Sequence, residues 1–330
     1  MTDETRTRLW TECSESRRVR GKRAFLDFDV TELLDEWELE EFRRQTGLRS
    51  SPVTLVVPGE LEGSADQETR EKRVVVAFLH GFGGTRSSWG IGRGGQGPGH
   101  FVDDVLRAVE STGRDAIGLV VAGLGRDGAN VDGSACDGGL TPEHYSRQLE
   151  YVLRRLGLFD CGRIIGIGHS MGAAALWEFA AHNVARGPDL PGEGHGKPEL
   201  SLVSISPVGV LPERRGLKLG CQIAGHGLGL LVRPLIGLWR FSSRRLGELL
   251  GMASVLKGLA RQGPLTASLA GIKGLVLVGQ HDWIARKGLR AGLQRAGCPW
   301  PVAQLAGLGH NLLWHPATIR ALVSYMPTLV

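Results

Sequence analysis

The chain has 330 residues, of which 42% are hydrophobic, and a formal net charge of +5. This length and apolar content suffice for one large packed α/β domain, and the mild charge, without a zinc-finger or RNA-recognition motif, excludes nucleic acid as an expected partner. Five cysteines without a C-x-x-C pair argue against a disulfide framework and against a structural zinc site. The first 24 residues are charged and lack an apolar signal core, which predicts a cytoplasmic protein.

Residues 1–50 are predicted to form an N-terminal extension that is partly disordered and partly helical. Residues 1–22 carry mixed charge and few apolar anchors, a composition typical of disorder. Residues 24–30 and 53–57 are expected to form paired antiparallel edge strands. Between them, residues 31–44 have the apolar spacing of an amphipathic helix that packs on the domain surface.

From residue 74 onward, apolar strands alternate with helices. The predicted strands are residues 74–79, 117–121, 163–167, 200–204, 274–278 and 302–305. The predicted helices are residues 100–112, 141–156, 173–181, 285–296 and 316–326. Repeated strand–helix units predict an α/β fold with a mostly parallel, doubly wound sheet. Because ligands bind beyond the carboxyl ends of strands in such sheets, the residues after each strand are the candidates for chemistry.

The strand at residues 163–167 leads directly into the sequence G-H-S-M-G, which matches the pattern G-x-S-x-G centred on Ser170. A strand, a sharp turn and a helix are the context that this pattern requires. Gly168 and Gly172 carry no side chain where the strand and the helix come close. The N-terminus of the following helix stabilises negative charge near the hydroxyl. Ser170 is therefore predicted to be a nucleophile.

Three other predicted strands end in residues that suit the same chemistry. The first is followed by H-G-F-G-G at residues 80–84. The strand at residues 274–278 is followed by G-x-x-D, which ends at Asp282, and the last strand by G-H, which ends at His310. Together with Ser170, these residues follow the chain order Ser…Asp…His. This order is typical of sheets of this kind in which the serine lies on a sharp strand-to-helix turn, the nucleophile elbow.

In these four motifs the chain resembles the α/β-hydrolase fold superfamily, in particular its esterase- and lipase-like members with a serine nucleophile and a lid. The resemblance spans residues 53–330. It implies a hydrolase core at residues 51–205 and 270–330, interrupted by a helical lid or cap at residues 206–269. The implied chemistry needs no metal and no cofactor.

The expected roles follow from the physical requirements of acyl transfer. His310 acts as general base for the Ser170 hydroxyl and later returns the proton to the leaving group. Asp282 holds the imidazole tautomer and stabilises the imidazolium. The backbone N–H groups of Phe82 and Met171 are the expected donors of the oxyanion hole.

The substrate pocket is predicted from residues beside these motifs and from the lid. The candidates are His80, Gly81, Gly83, His169 and Trp239. His80 and His169 are better interpreted as hydrogen-bonded histidines beside the site than as proton carriers. The lid is rich in leucine and arginine, so it either covers an apolar pocket or, as an alternative interpretation, contacts anionic lipid surfaces.

We therefore expect a serine hydrolase that cleaves a carboxylic ester, thioester or lactone of apolar character through an acyl-enzyme. Its expected partner is a small apolar, ester-like molecule. Two alternatives stay open at this point. One is carbon–carbon bond hydrolysis or a lyase reaction with the same triad, and the other is a low-turnover ligand-binding or sensor protein, because a fold does not fix a function.

Overall fold

The computed structural model describes residues 18–20, 22–58, 72–81, 84–90, 101–123, 140–159, 161–185, 198–207, 269, 271–282, 285, 289, 293–294 and 300–330. The strands in these residues are β1 Arg18–Arg20, β2 Arg23–Asp29, β3 Pro52–Pro58, β4 Arg73–Leu79, β5 Asp115–Val121, β6 Arg163–His169, β7 Glu199–Ile205, β8 Lys273–Gly279 and β9 Val302–Leu305. They form one sheet in the order β1-β2-β3-β5-β4-β6-β7-β8-β9.

The sheet is mostly parallel, as the alternation of strands and helices predicts. The neighbours from β5 through β4, β6, β7 and β8 to β9 are all parallel, whereas the pairs β1–β2, β2–β3 and β3–β5 are antiparallel. Parallel strands have their carboxyl ends at one edge of the sheet. The segments that follow β4, β6, β7, β8 and β9 therefore lie side by side.

Helices cover both faces of this sheet. They are α1 Glu36–Thr46, α2 Phe101–Glu110, α3 Pro142–Arg155, α4 Met171–Ala185 and α5 Pro316–Leu329. On one face, α1, α3 and α4 pack on a core that includes Phe42, Leu149 and Leu176. On the other face, α2 and α5 pack on a core that includes Val105 and Leu322.

The continuous apolar run of β4 follows from this two-sided burial. Val75, Ala77 and Leu79 contribute to the core on one face. The alternating residues Val76 and Phe78 contribute to the core on the other. A strand that is covered on both faces has no solvent side, so the residues that follow Arg73 in β4 are all apolar.

The segment at residues 18–50 adds to the sheet. β2 and β3 pair antiparallel over their full length, from Arg23 opposite Pro58 to Asp29 opposite Pro52. The expectation that both are edge strands is wrong, because β1 lies outside β2 and β3 pairs with β5. β1 falls within residues 1–22, whose composition predicts disorder. Strand pairing uses backbone groups, so the Arg-Val-Arg segment can pair although only one of its three side chains is apolar.

The predicted helix at residues 31–44 is present in two parts. A short 3₁₀ turn covers Val30–Leu33, and α1 then begins after Asp35. The Asp35 side chain accepts from the Glu38 N–H, and the Glu38 carboxylate accepts from the Asp35 N–H. This reciprocal capping box satisfies two backbone donors at the start of α1. α1 is capped at its C-terminus by Gly47, whose φ of 67° is left-handed.

The predicted lid and the predicted helix at residues 285–296 lie almost entirely outside the described residues. Of the lid, only Ser206, Pro207 and Leu269 are described. The division into an extension, a core and a lid therefore stays a prediction. Within the described part of the chain, no helix is both long enough and apolar enough to span a membrane.

A buried hydrogen bond joins α4 to the sheet and allows a test of the packing. The Trp177 Nε1–H donates to the Ser204 Oγ on β7 over 2.7 Å, and both residues are buried. We expect Ser204→Ala to lower the free energy of unfolding by about 1–3 kcal/mol, because it leaves a buried indole N–H without an acceptor. Urea unfolding followed by circular dichroism measures this difference.

Ser324→Ala is the matched control for this prediction. The exposed Ser324 hydroxyl bonds to the Ala321 carbonyl on α5, and water replaces that hydrogen bond when the hydroxyl is removed. Its effect should stay within about 0.5 kcal/mol. Equal destabilisation by the two substitutions would contradict the proposed contribution of the Trp177–Ser204 bond.

Candidate active site

Ser170 lies on the tight turn between β6 and α4. Its φ of 54° is left-handed, and within the described residues only Ser170 and Ser206 combine a side chain with a positive φ. Such a conformation costs on the order of 1–3 kcal/mol and persists only where the surroundings enforce it. The Ser170 N–H donates to the Ile205 carbonyl over 2.9 Å, so neighbouring β7 holds the strained turn.

Glycines allow the backbone to approach this closely. A Cβ atom on Gly172 would lie 2.1 Å from the Leu79 carbonyl oxygen, and one on Gly168 would lie 2.5 Å from the Ala173 nitrogen. A Cβ on Gly81 would lie 2.8 Å from the Ser170 Cβ. The turn after β6 and the loop after β4 thus touch each other through backbone atoms.

The structure brings the three predicted catalytic residues together. The His310 Nε2 lies 3.0 Å from the Ser170 Oγ. The His310 Nδ1 lies 3.1 and 3.0 Å from the two carboxylate oxygens of Asp282. Because a carboxylate only accepts hydrogen bonds, Nδ1 carries the proton and Nε2 presents a lone pair to the serine hydroxyl. This is the arrangement in which a histidine can accept a proton from serine.

Asp282 is fully buried and is held in its charged form by its neighbours. Burial raises the pKa of its carboxyl, but the hydrogen bond and the charge of His310, together with Ser206 and the Ala285 N–H, lower the pKa below its ordinary value. The Ala285 N–H donates to Asp282 over 2.9 Å. A charged Asp282 can stabilise an imidazolium at His310.

Ser206 is a site residue that the sequence interpretation missed. It follows β7 directly, is fully buried and has a φ of 47°. Its hydroxyl lies close enough to lower the pKa of Asp282, although it makes no hydrogen bond of ordinary geometry to a described residue. The rule that chemistry follows each strand would have selected this position, but a serine after a strand carries no motif of its own.

Backbone contacts hold the loop that carries His310. The Gln280 N–H donates to the Leu305 carbonyl over 2.8 Å, and the His281 N–H donates to the Leu308 carbonyl over 2.7 Å. A Cβ on Gly279 would lie 2.4 Å from the Leu308 carbonyl oxygen. The glycine of G-x-x-D thus lets the segments after β8 and β9 pack together.

The two histidines beside the triad are both buried and bonded to backbone. His80 Nε2 accepts from the Gly123 N–H over 2.7 Å, and its Nδ1–H donates to the Gly81 carbonyl over 3.0 Å. His169 Nε2 lies 3.1 Å from the His310 carbonyl oxygen, so Nε2 carries the proton there. Burial, with a smaller effect of the His310 charge, lowers the pKa of His169 to about 3. Both histidines are therefore hydrogen-bonded as the sequence interpretation favoured.

Of the predicted oxyanion-hole and pocket residues that remain, only Met171 lies within the described part of the chain. Phe82, Gly83 and Trp239 lie outside the described residues. Met171 is buried and begins α4, so its N–H belongs to the first helical turn, where backbone donors have no intrahelical acceptor. Within the described part of the chain, no group of three or more His, Cys, Asp or Glu is arranged to hold a metal ion.

Comparison with known proteins establishes the fold. No family model and no curated protein matches the chain, but solved structures do. A carboxylesterase from the thaumarchaeon Nitrososphaera gargenis is 14% identical with a TM-score of 0.54, covering 85% of this chain and 97% of its own. The RedJ thioesterase of prodiginine biosynthesis in Streptomyces coelicolor is 19% identical with a TM-score of 0.50, covering 81% and 90%.

A third solved structure is a 2-hydroxy-6-oxo-6-phenylhexa-2,4-dienoate hydrolase from Rhodococcus sp. strain RHA1. It is 12% identical with a TM-score of 0.52, covering 87% of this chain and 96% of its own. The chain has the α/β-hydrolase fold. These three solved structures are named for different reactions, so the shared fold does not fix the chemistry of this chain.

The buried His169 should make the stability of the protein depend on pH. Its pKa of about 3 lies below the ordinary value of 6.5, so below about pH 6.5 the unfolded chain takes up a proton that the folded chain refuses. The resulting loss of stability grows as the pH falls toward about 3 and amounts to about 2 kcal/mol between pH 7 and pH 5. Urea unfolding at both pH values measures it.

His169→Gln removes the titrating group and should lose less stability over the same pH interval. His281→Gln is the control, since that side chain is exposed in the folded protein and should leave the wild-type loss unchanged. An identical loss in wild type and His169→Gln would contradict the assignment of this pH dependence to His169.

Proposed function

We propose that this protein is a serine hydrolase that cleaves a carboxylic ester, thioester or lactone of apolar character. The observation that carries the proposal is the pair of contacts at His310. One ring nitrogen lies 3.0 Å from the Ser170 Oγ, and the other lies within 3.1 Å of both oxygens of buried Asp282. The serine is held on a strained turn beside a helix N-terminus, the position of the nucleophile in a nucleophile elbow.

The reaction proceeds through an acyl-enzyme. The Ser170 Oγ attacks the substrate carbonyl carbon while His310 Nε2 takes the hydroxyl proton. The imidazolium that forms is stabilised by the negative charge of Asp282. His310 then donates this proton to the departing alkoxide or thiolate. In the second half, His310 removes a proton from water, whose oxygen attacks the acyl carbon. The bond to the Ser170 Oγ then breaks, His310 returns the proton to that oxygen, and the acid is released.

The oxyanion hole is assigned to the backbone N–H groups of Met171 and Phe82. The position of Met171 at the first residue of α4 supports its part. The close packing of Gly81 on Ser170 supports the part of Phe82, because it keeps the loop after β4 beside the nucleophile. Losing one such donor costs about 3 kcal/mol of transition-state stabilisation.

The apolar character of the substrate rests on residues 206–269. This segment is interposed between β7 and β8 and is rich in leucine, with Trp239 among its apolar residues. As a lid over the core at residues 51–205 and 270–330, it excludes water and supplies apolar contacts to the substrate. We assign an acyl or alkyl chain to these contacts.

Labelling with a fluorophosphonate tests the nucleophile. We expect intact-mass spectrometry to show one adduct on the wild type and none on Ser170→Ala. Ser324→Ala, an exposed serine on α5, should label like the wild type. A folded wild type that takes up no probe would favour the binding or sensor alternative, and an adduct on Ser170→Ala would place the reactive group elsewhere.

Product analysis separates ester hydrolysis from carbon–carbon cleavage. Esters of increasing acyl length are compared with an unsaturated 1,5-diketone that carries a carboxylate and has no ester bond, so that only carbon–carbon cleavage can split it. Each product is identified by mass. We expect an acid and an alcohol from the esters and no cleavage of the diketone. Turnover of the diketone alone would replace the ester proposal with carbon–carbon hydrolysis by the same triad.

The role of Asp282 gives a further expected result. Asp282→Asn keeps the volume but removes the charge that orients His310, so we expect the kcat for a p-nitrophenyl ester to fall by about 10⁴. Asp104→Asn is the matched control, because Asp104 pairs with Arg107 on the surface of α2. A loss of less than tenfold for Asp282→Asn would remove Asp282 from the catalytic assignment.

A further inference from the structure

One dipeptide makes two contacts with the catalytic base. Ser170 faces the His310 side chain, and the adjacent His169 faces the His310 main chain. The Ser170 Oγ lies 3.0 Å from His310 Nε2, and the His169 Nε2 lies 3.1 Å from the His310 carbonyl oxygen. The rings of the two histidines lie 5.3 Å apart with a tilt of 46°. The segment that carries the nucleophile thus contacts both the side chain and the main chain of His310.

The second contact falls in an exposed part of the loop that carries the base. Gly309 and Asn311, on either side of His310, are exposed, whereas His169 is buried. The other hydrogen bonds of this segment described above end at Leu308, before the base. Among the described residues, the side chain that contacts the His310 peptide is that of His169, the last residue of β6.

The geometry specifies the proton on His169. A carbonyl oxygen only accepts, so the contact requires Nε2–H. His169 Nδ1 faces Gly81, where a Cβ would lie 2.9 Å away. Any side chain at Gly81 would displace the ring.

The electrostatic surroundings keep His169 neutral. Its burial disfavours the charged form, and a positive charge on His310 or His80 would act in the same direction, while Asp282 and the hydrogen bond to the His310 carbonyl oppose them. A second positive charge 5.3 Å from the His310 ring would repel the imidazolium that forms during the reaction. A neutral donor anchors the base without that penalty.

We infer that His169 is a positioning residue, which anchors the His310 peptide so that the base stays in reach of Ser170. This role rests on the proposed hydrolase function. It acts through His310 and requires no contact between His169 and the substrate. A small displacement of a reacting group, of about 1 Å, is enough to reduce a rate about 10²-fold.

Two substitutions separate the hydrogen bond from the volume of the ring. His169→Gln keeps a side-chain N–H at a similar reach, and His169→Leu fills the space without a donor. With p-nitrophenyl butyrate as the probe, we expect His169→Leu to lower kcat about 10²-fold with KM nearly unchanged. His169→Gln should recover most of that loss. Activities are corrected for the folded fraction measured by circular dichroism.

A merely structural role predicts a different pattern. Equal losses in the glutamine and leucine variants, or losses that follow the folded fraction, would overturn the inference. So would a change confined to KM. The pH profile adds a second criterion: the pH at which fluorophosphonate labelling is half-maximal should stay at the wild-type value in His169→Gln and move in His169→Leu.

Nuclear magnetic resonance tests the hydrogen bond from the His169 Nε2–H to the His310 carbonyl oxygen without measuring activity. Nitrogen shifts of the wild type should show His169 as the neutral Nε2–H tautomer from pH 7 to pH 5, and the Nδ1–H tautomer would overturn the inference. The low-field proton between His310 and Asp282 should persist in His169→Gln and broaden in His169→Leu. If the wild type neither labels nor turns over esters, the hydrolase proposal fails, while this proton still tests whether His169 holds His310.

Discussion

The close backbone contact between β4 and the turn after β6 is the constraint on which the site depends. The Leu79 carbonyl occupies the space that a side chain on Gly172 would need, and Ser170 presses against Gly81 in the same way. This contact brings two loops to one point: the loop after β4, which carries a proposed oxyanion donor, and the elbow, which carries the proposed nucleophile. It also explains why Ser170 can be held at a left-handed φ, since the surroundings leave the turn no room to relax.

Charge at the site is distributed so that a positive base can form in a buried place. Asp282 is the charged partner, and its burial is tolerable because His310 and the Ala285 N–H satisfy its oxygens. His169 and His80 are close by, but both are bonded to backbone and His169 stays neutral. The negative carboxylate of Asp282 thus faces His310, the one group at the site that becomes positive during the proposed reaction. The same burial that makes an unpaired charge costly strengthens this pair.

Sequence interpretation predicted the parallel sheet, the elbow and the meeting of Ser170, Asp282 and His310. It could do so because buried strands are continuous apolar runs and because parallel strands end at one edge. It missed β1, since a charged edge strand has no apolar pattern to detect. It also missed the part that Ser206 plays. A serine that follows a strand is common, and its relation to an aspartate 76 residues later is invisible in one dimension.

The sequence by itself determined the kinds of residue at the ends of the strands and the glycines that permit tight turns, because these are local requirements of backbone geometry. Only the tertiary structure decided which of these residues touch. The strand order β6-β7-β8-β9 sets Ser206 between the segments of Ser170 and Asp282. The folded chain also brings His169 within 3.1 Å of the His310 carbonyl oxygen. Such contacts depend on which strands are neighbours. That choice is made by the packing of the whole sheet and its helices, which no single segment encodes.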